Sequence, residues 1–330
     1  MLLDGAPFVP RGVQVVGLVA PAADIRPFAA GAHRHFGGAE LRKAISYHVN
    51  TIRFQVSEFG LDPRDSLFSR SYLAQVAGAV RLARRLGLTV ILTVQAEPPA
   101  GRPQRCPLPD AGALRVWNEL APMFGSDRRV LFELYNEPDV PATPAGWQAW
   151  RKGGRVSGGG VTCTAVGMQT LIDAIRSDGA HNVIIVPGAH FERTIAGMPA
   201  LTDPGSPSDP QLIYGIHDPA LFIGAAGPKW PADFGTVSSR VPVIVTEWNA
   251  SSTADGCNPD APSHAPMLLD YLAAHRIGVV GYSFDLPGTI ITGWSYRPTS
   301  YRGFACGKEG AGPGRLLFGT FAAAAAGGSP

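Results

Sequence analysis

The sequence predicts an α/β protein, a (β/α)8 TIM barrel in a single domain. Eight short runs rich in Val and Ile recur along the chain, at 13–19 (VQVVGLV), 51–56 (TIRFQV), 89–94 (TVILTV), 130–135 (VLFELY), 182–187 (NVIIVP), 212–217 (LIYGIH), 242–247 (PVIVTE) and 279–284 (VVGYSF). The runs are near-continuous rather than strictly alternating, as parallel strands covered on both faces are. Helical or mixed sequence follows each of them, which is the order of a barrel inside a ring of helices. An open doubly wound sheet is the alternative. It ordinarily carries a glycine-rich turn after its first strand, and none follows VQVVGLV.

Taken in order, the first run is the most ambiguous. VQVVGLVAPAA (13–23) follows Arg11 and ends in small residues, so it could pass for a signal sequence. It is read here as the first buried strand, because the opening LLDGAPFVPRG looks like the start of a mature domain. After the second run, 70–87 places Leu73, Val76, Ala77, Val80 and Ala83 on one stripe, and Gly87 stops the helix. The stretch 168–179 does the same and also ends in glycine. The stretch 265–278 repeats the pattern. The connection 137–164 is long, and its Trp147, Trp150, Arg151 and Lys152 argue against disorder. The domain runs over 1–330, with the tail fraying over about 326–330. No internal repeat is visible.

The chain has 330 residues, 45% hydrophobic and 16% charged, enough for a large core. A net charge of +2 points to neither a nucleic acid nor an anionic membrane. No apolar run reaches the roughly 18 residues needed to cross a bilayer. Forty glycines and thirty prolines fall mostly between the runs, as loop punctuation. Cys106, Cys163, Cys257 and Cys306 form no CxxC pair and lie in Gly/Pro-rich loops. An even set of loop cysteines favours two disulfides and an oxidising compartment. In barrel order, Cys106 and Cys163 lie after strands three and four, and Cys257 and Cys306 after strands seven and eight. Pairing 106–163 and 257–306 joins neighbouring loops, whereas the other pairings cross the mouth.

Barrel chemistry sits at the C-terminal ends of the strands. The fourth run ends in Asn136 and Glu137, followed by Pro138, and the seventh ends in Glu247. Two carboxylates facing each other about 5 Å apart can cleave a glycosidic bond with retention, one as acid and one as nucleophile. Arg53 lies inside the second run. A buried guanidinium costs several kcal/mol unless carboxylates pair with it, so Arg53 predicts a buried acid, with Glu247 the candidate. Asn136 is placed to hold a sugar 2-hydroxyl. Gln95 and Glu97 follow the third run, His217 and Asp218 the sixth, and Phe284 and Asp285 the eighth. Glu97 and Asp218 read more simply as solvated loop residues. His33, His35, His48, His181, His264 and His275 read as surface or satisfied side chains. His217 and Asp218 are adjacent, but nothing supplies a third ligand, so no metal is expected.

In order, RGVQVVG, NTIRFQV, LYNEP and VIVTEW resemble glycoside hydrolase family 5, the cellulase-like enzymes of barrel clan A, from about Leu2 to Phe321. Asn-Glu-Pro after the fourth strand is the most specific of these motifs. The resemblance implies Glu137 as acid/base and Glu247 as nucleophile, with Arg53, Asn136 and His217 at further positions of the site. Three positions depart from the family. Gln95 stands where a His is usual. His217-Asp218-Pro219 replaces His-x-Tyr. Tyr282 or Phe284 stands for the Trp that floors the sugar. Trp147, Trp150, Trp230, Trp248 and Trp294 fall in loops or near strand ends where aromatic faces could stack on sugars, though two or three would only pack loops.

The expectation is a retaining β-glycosidase on an oligo- or polysaccharide, first an endo-β-1,4-glucanase. A β-mannanase, a β-1,3-glucanase or an exopolysaccharide hydrolase follows. It is expected to be monomeric, extracytoplasmic and free of cofactor and metal. A non-catalytic carbohydrate-binding barrel would not need both glutamates. A lyase or aldolase would need a Schiff-base lysine, and Lys43, Lys152, Lys229 and Lys308 all lie outside the runs.

Overall fold

In the computed structural model of the chain, the described residues are 1–3, 5–25, 27–96, 106–217, 223–224, 227–251 and 257–327. Eight parallel strands close into a barrel: β1 (Arg11–Val15), β2 (Thr51–Ser57), β3 (Thr89–Gln95), β4 (Val130–Glu133), β5 (Ile184–Pro187), β6 (Leu212–His217), β7 (Val243–Trp248) and β8 (Gly278–Gly281). Each pairs with the next in sequence, and β8 closes on β1 through Val279 opposite Arg11. The first strand stops at Val15 rather than 19, because the main-chain N–H groups of Val16 and Gly17 turn to the Asp285 carboxylate. The eighth stops at Gly281, and the following Tyr282–Ser283 peptide is cis.

Alternation along each strand builds two cores. Outward residues such as Ile52, Phe54 and Val56 join the helix-facing cluster, with Trp117 and Val76 among its buried members. Inside the barrel, Ile91, Leu131, Ile185, Ile213, Ile244 and Val280 form a separate apolar floor. Two residues further toward the C-terminal ends, the inward positions become Thr93, Glu133 and Gly215. The barrel lumen thus changes from apolar to ionic within one strand repeat.

The helix Arg70–Arg85 is capped by Ser69, whose side chain accepts from Tyr72 N–H, and it buries Val76, Ala77, Val80 and Ala83. Asp110 and Thr143 cap Ala111–Phe124 and Pro144–Lys152 in the same way. A polar oxygen at the first turn satisfies one of the amides that have no intrahelical partner. The helix expected at 265–278 begins earlier, spanning Ala261–Ala274. The long connection after β4 is structured: the helix Pro144–Lys152 precedes a hairpin of Gly154–Gly158 with Val161–Ala165. Cys106 is bonded to Cys163, which fastens this hairpin to the segment after β3, and Cys257 to Cys306. Each closes a loop of about 50 residues, for which chain-entropy arguments give roughly 4 kcal/mol. Among the described residues, no helix is long and apolar enough to cross a membrane.

Candidate active site

Arg53 projects from β2 into the lumen and is completely buried. A guanidinium has five N–H groups in a fixed fork, and four acceptor oxygens and the ring of His217 surround this one. Nε donates to Glu133 Oε2 at 2.6 Å. Nη1 donates to Gln14 Oε1 and Glu247 Oε1, both at 2.6 Å. Nη2 donates to Asn136 Oδ1 at 2.8 Å and lies 3.4 Å from His217 Nε2. Gln55, two residues along the same face of β2, adds its Nε2 to Glu247 Oε1 at 3.1 Å and to Asn136 Oδ1 at 3.2 Å.

His217 ends β6 beside Glu247 on β7, the two being register partners. Its Nδ1 lies 3.3 Å from Glu137 Oε1 and 3.8 Å from Glu247 Oε2. Glu137 and Glu247 thus share one imidazole, and their facing oxygens and His217 lie within 4.8 Å of one another. The side chain of Glu137 is 32% exposed and that of Glu247 only 9%, so the first stands at the mouth and the second deeper. Glu137 itself has φ 54, a left-handed backbone.

Charge follows burial. For Arg53, burial works against the charge, but Glu133, Glu247 and Glu192 together hold the guanidinium firmly protonated. Burial pushes Glu247 above the usual carboxylate range, opposed by His217 and Arg53 and reinforced by Glu137. Burial alone would lower His217, yet Glu192 and Glu247, with the contact to Glu137, push it up to about 10. Among the described residues, two sets of three side chains could offer atoms to a metal ion: Glu133, Glu192 and His217, and Glu137, His217 and Glu247. Arg53 already places a cation 2.6 Å from Glu133 and from Glu247, which opposes a second cation in either set.

The aromatic expectations divide. Trp150 is fully buried and donates its indole N–H to Pro187 O at 2.9 Å. Trp248 and Phe284 are equally buried, and Phe284 stacks on Tyr296 with centroids 5.0 Å apart. These three pack the core and offer no open face to a sugar, which corrects the sequence reading. Trp147 and Trp230 are buried too. Trp294 is exposed and stacks on His35 with centroids 4.0 Å apart. Tyr282 is half-buried at the end of β8, its N–H bonded to Trp248 O. Gln95 ends β3 in register with Ser57. Glu97 and Asp218 lie outside the described residues.

Four cluster members escaped the sequence reading: Gln14, Gln55, Glu133 and Glu192. Three of them carried a signal. Gln14, Gln55 and Glu133 are polar residues inside apolar runs, and Gln55 keeps the face of Arg53. Glu192 carried none, being placed by the fold of its loop.

The cellulase family, glycosyl hydrolase family 5, matches residues 38–286. A manganese-dependent endoglucanase of Phanerodontia chrysosporium is 30% identical over 117 residues, 33% of this chain and 25% of that protein. A cellulase of a Thermoanaerobacterium species is 23% identical over 186 residues, 52% of this chain and 43% of that one. The matched region spans less than half the length of either relative. Among solved structures, the endocellulase of Pyrococcus horikoshii with cellotetraose superposes with a TM-score of 0.62 at 17% identity, covering 88% of this chain and 89% of that one. XacCel5A with cellopentaose gives 0.57 at 18%, covering 86% and 90%. At such identity these two structures speak for the barrel alone. The family match extends over most of the chain and includes both strand-end glutamates, so the chain belongs to the cellulase family, glycosyl hydrolase family 5.

Proposed function

We propose that this chain is a retaining β-glycosidase that cleaves a β-linked polysaccharide, first of all an endo-β-1,4-glucanase. The observation that carries the reading is the meeting of Glu137 and Glu247 within 4.8 Å at the barrel mouth, with Arg53 and Gln55 both donating to Glu247. Retaining enzymes hold their carboxyl groups about 5–5.5 Å apart, too close for a water to attack between them. The cellulase family match, with relatives named as an endoglucanase and a cellulase, supports a β-1,4-linked glucan.

In the first step, the Glu137 carboxyl gives its proton to the glycosidic oxygen while Glu247 Oε attacks the anomeric carbon, and the aglycone leaves. In the second, Glu137 takes a proton from water, whose oxygen displaces Glu247 from the sugar. Glu247 must be ionised to attack, and the two donors to its Oε1 favour that form. Asn136 Oδ1 accepts from Arg53 and Gln55, which fixes the amide with its NH2 group turned away from both. That NH2 is the group assigned to the sugar 2-hydroxyl, a contact that strengthens in the transition state. Tyr282 supplies the ring beneath the sugar. Two disulfides support an extracytoplasmic site of action.

The test is hydrolysis of a panel of β-1,4-glucan, β-mannan, β-1,3-glucan and microbial exopolysaccharides, with proton NMR of the first anomer released. A β-anomer from a β-1,4-glucan is the expected result. Release of the α-anomer would make the enzyme inverting, and preference for another polymer would reassign the substrate.

A further inference from the structure

Beneath Glu137 and Glu247 lies a third acid that the reaction above does not use. Glu192, in the connection after β5, is fully buried. Its Oε1 accepts the backbone N–H of Glu137 at 2.9 Å. Its Oε2 lies 3.4 Å from His217 Nε2 and 3.5 Å from Thr246 Oγ1. The other ring nitrogen of His217 faces Glu137 Oε1 at 3.3 Å. The contacts form a closed ring, running from the Glu137 main chain through Glu192 and His217 to the Glu137 side chain.

The backbone that delivers Glu192 is strained. His190, Phe191 and Glu192 have φ of 55, 58 and 58, and left-handed backbone costs a non-glycine residue roughly 1–2 kcal/mol. The turn is docked on the segment after Glu137: His190 N–H bonds Val140 O and Phe191 N–H bonds Pro138 O, both at 2.9 Å. Gly215 on β6 leaves room for the carboxylate, since a Cβ there would lie 3.0 Å from Glu192 Oε2. Strain of this kind persists where the surroundings over-determine it, and it gathers at functional sites.

The charged groups around Glu192 are Arg53 from β2, Glu133 from β4, Glu137 after β4, His217 from β6 and Glu247 from β7. Burial pushes Glu192 up to about 8, with Glu133 adding to the push and His217 and Arg53 opposing it. Glu192 and His217 therefore hold a proton between Oε2 and Nε2 at neutral pH. That arrangement puts a hydrogen on His217 Nδ1, facing Glu137.

We propose that Glu192 is a positioning residue for the acid/base Glu137, fixing its main chain directly and its carboxyl group through His217. The proposal rests on the assignment of Glu137 as acid/base. Glu192 also balances the charge on His217, so the ring can donate to Glu137 without an uncompensated imidazolium that would strip the acid of its proton.

The test compares Glu192→Ala and Glu192→Gln on two substrates. Cellotetraose has a poor leaving group and needs protonation; 2,4-dinitrophenyl cellobioside has a leaving group that departs without it. General-acid assistance is worth about 100-fold or more. The expected result is a fall of about 100-fold in kcat/KM on cellotetraose for Glu192→Ala and a change of under about fivefold on the aryl glycoside. Glu192→Gln should recover most of the loss, because the carboxamide can accept from Glu137 N–H and donate to His217 Nε2. Equal losses on both substrates, no loss on either, or a glutamine variant as poor as the alanine one would overturn the proposal. Circular dichroism checks that both variants are folded. A wild type that cleaves neither substrate refutes the glycosidase assignment instead. The nitrogen NMR signals of His217 then decide the positioning role: a ring fixed with its hydrogen on Nδ1 in wild type and Glu192→Gln, and a tautomer mixture in Glu192→Ala, support it. An Nδ1 signal indifferent to Glu192 refutes it.

Discussion

Replacing Arg53 by lysine keeps a positive charge in the barrel and removes the fork that directs it. The guanidinium donates to oxygens of Glu133, Gln14, Glu247 and Asn136. A lysine ammonium has three donors on one atom, so at least one of these four contacts is lost, and Glu133 and Gln14 are the acceptors that Gln55 does not also serve. Arg53 is wholly buried, so the vacated positions lie inside the barrel. An unpaired buried acceptor costs about 1–3 kcal/mol, which puts Arg53→Lys at about 1–3 kcal/mol. That is a large part of a typical stability of about 5–15 kcal/mol. The measurement is urea unfolding followed by far-ultraviolet circular dichroism and by tryptophan fluorescence. Catalysis reports the same loss separately. Glu247 already has a carboxyl pushed up by burial, and Arg53 is one of two groups restraining it. With that restraint weakened the carboxyl rises further, so the acid limb of kcat/KM should move to higher pH. Stability within about 0.5 kcal/mol of wild type, together with an unmoved acid limb, would show that the fork is not what orders the site.

Glu247→Gln should lower turnover by several orders of magnitude while leaving the fold and cello-oligosaccharide binding nearly intact; activity within tenfold of wild type would remove Glu247 from the mechanism. Glu40 is buried, and burial with Asp285 pushes it up to about 9 against a backbone hydrogen bond at Gly37. Its folded-state pKa is the higher one, so ionisation penalises the fold increasingly from the ordinary carboxylate range up to about 9. Glu40→Gln should match wild type in acid and exceed it by about 1–3 kcal/mol near neutrality, and a gain in urea midpoint that does not grow with pH would refute this. Because Arg53 already supplies the cation among the site's carboxylates, dialysis against a chelator should leave hydrolysis unchanged; loss of activity restored by added manganese would reverse that reading.

Much of the barrel was legible because parallel strands buried on both faces announce themselves as apolar runs. Their ends were less so. The first and eighth runs outlast their strands because Val16 and Phe284 remain buried after pairing has stopped, and apolarity alone does not separate a strand from a buried connection. At the site, Arg53 in TIRFQV foretold a buried acid, and Glu247 meets it at 2.6 Å. The same argument, extended to Gln14, Gln55 and Glu133, would have outlined the whole ionic layer. The aromatic side chains were not legible. Trp150 lies in the helix Pro144–Lys152 and is sealed against Pro187 O, whereas Trp294 is exposed on His35, because tertiary packing and not residue type sets which way a ring turns.

Glu192 marks a different limit. No periodicity places it, since it belongs to a turn of three left-handed residues whose amides are claimed by Val140 and Pro138. Its sequence context, GAHFER, reads as an ordinary loop. What gives it meaning is the charge balance of the lumen. Glu133 and Glu247 are both bonded to Arg53, which supplies one positive charge for two carboxylates. Glu137 at the mouth must exchange a proton in each half of the proposed cycle. A buried acid placed to share a proton with His217 adjusts that balance inside the barrel. The strain of the turn is then the local cost of holding one carboxylate where the electrostatics of the barrel require it.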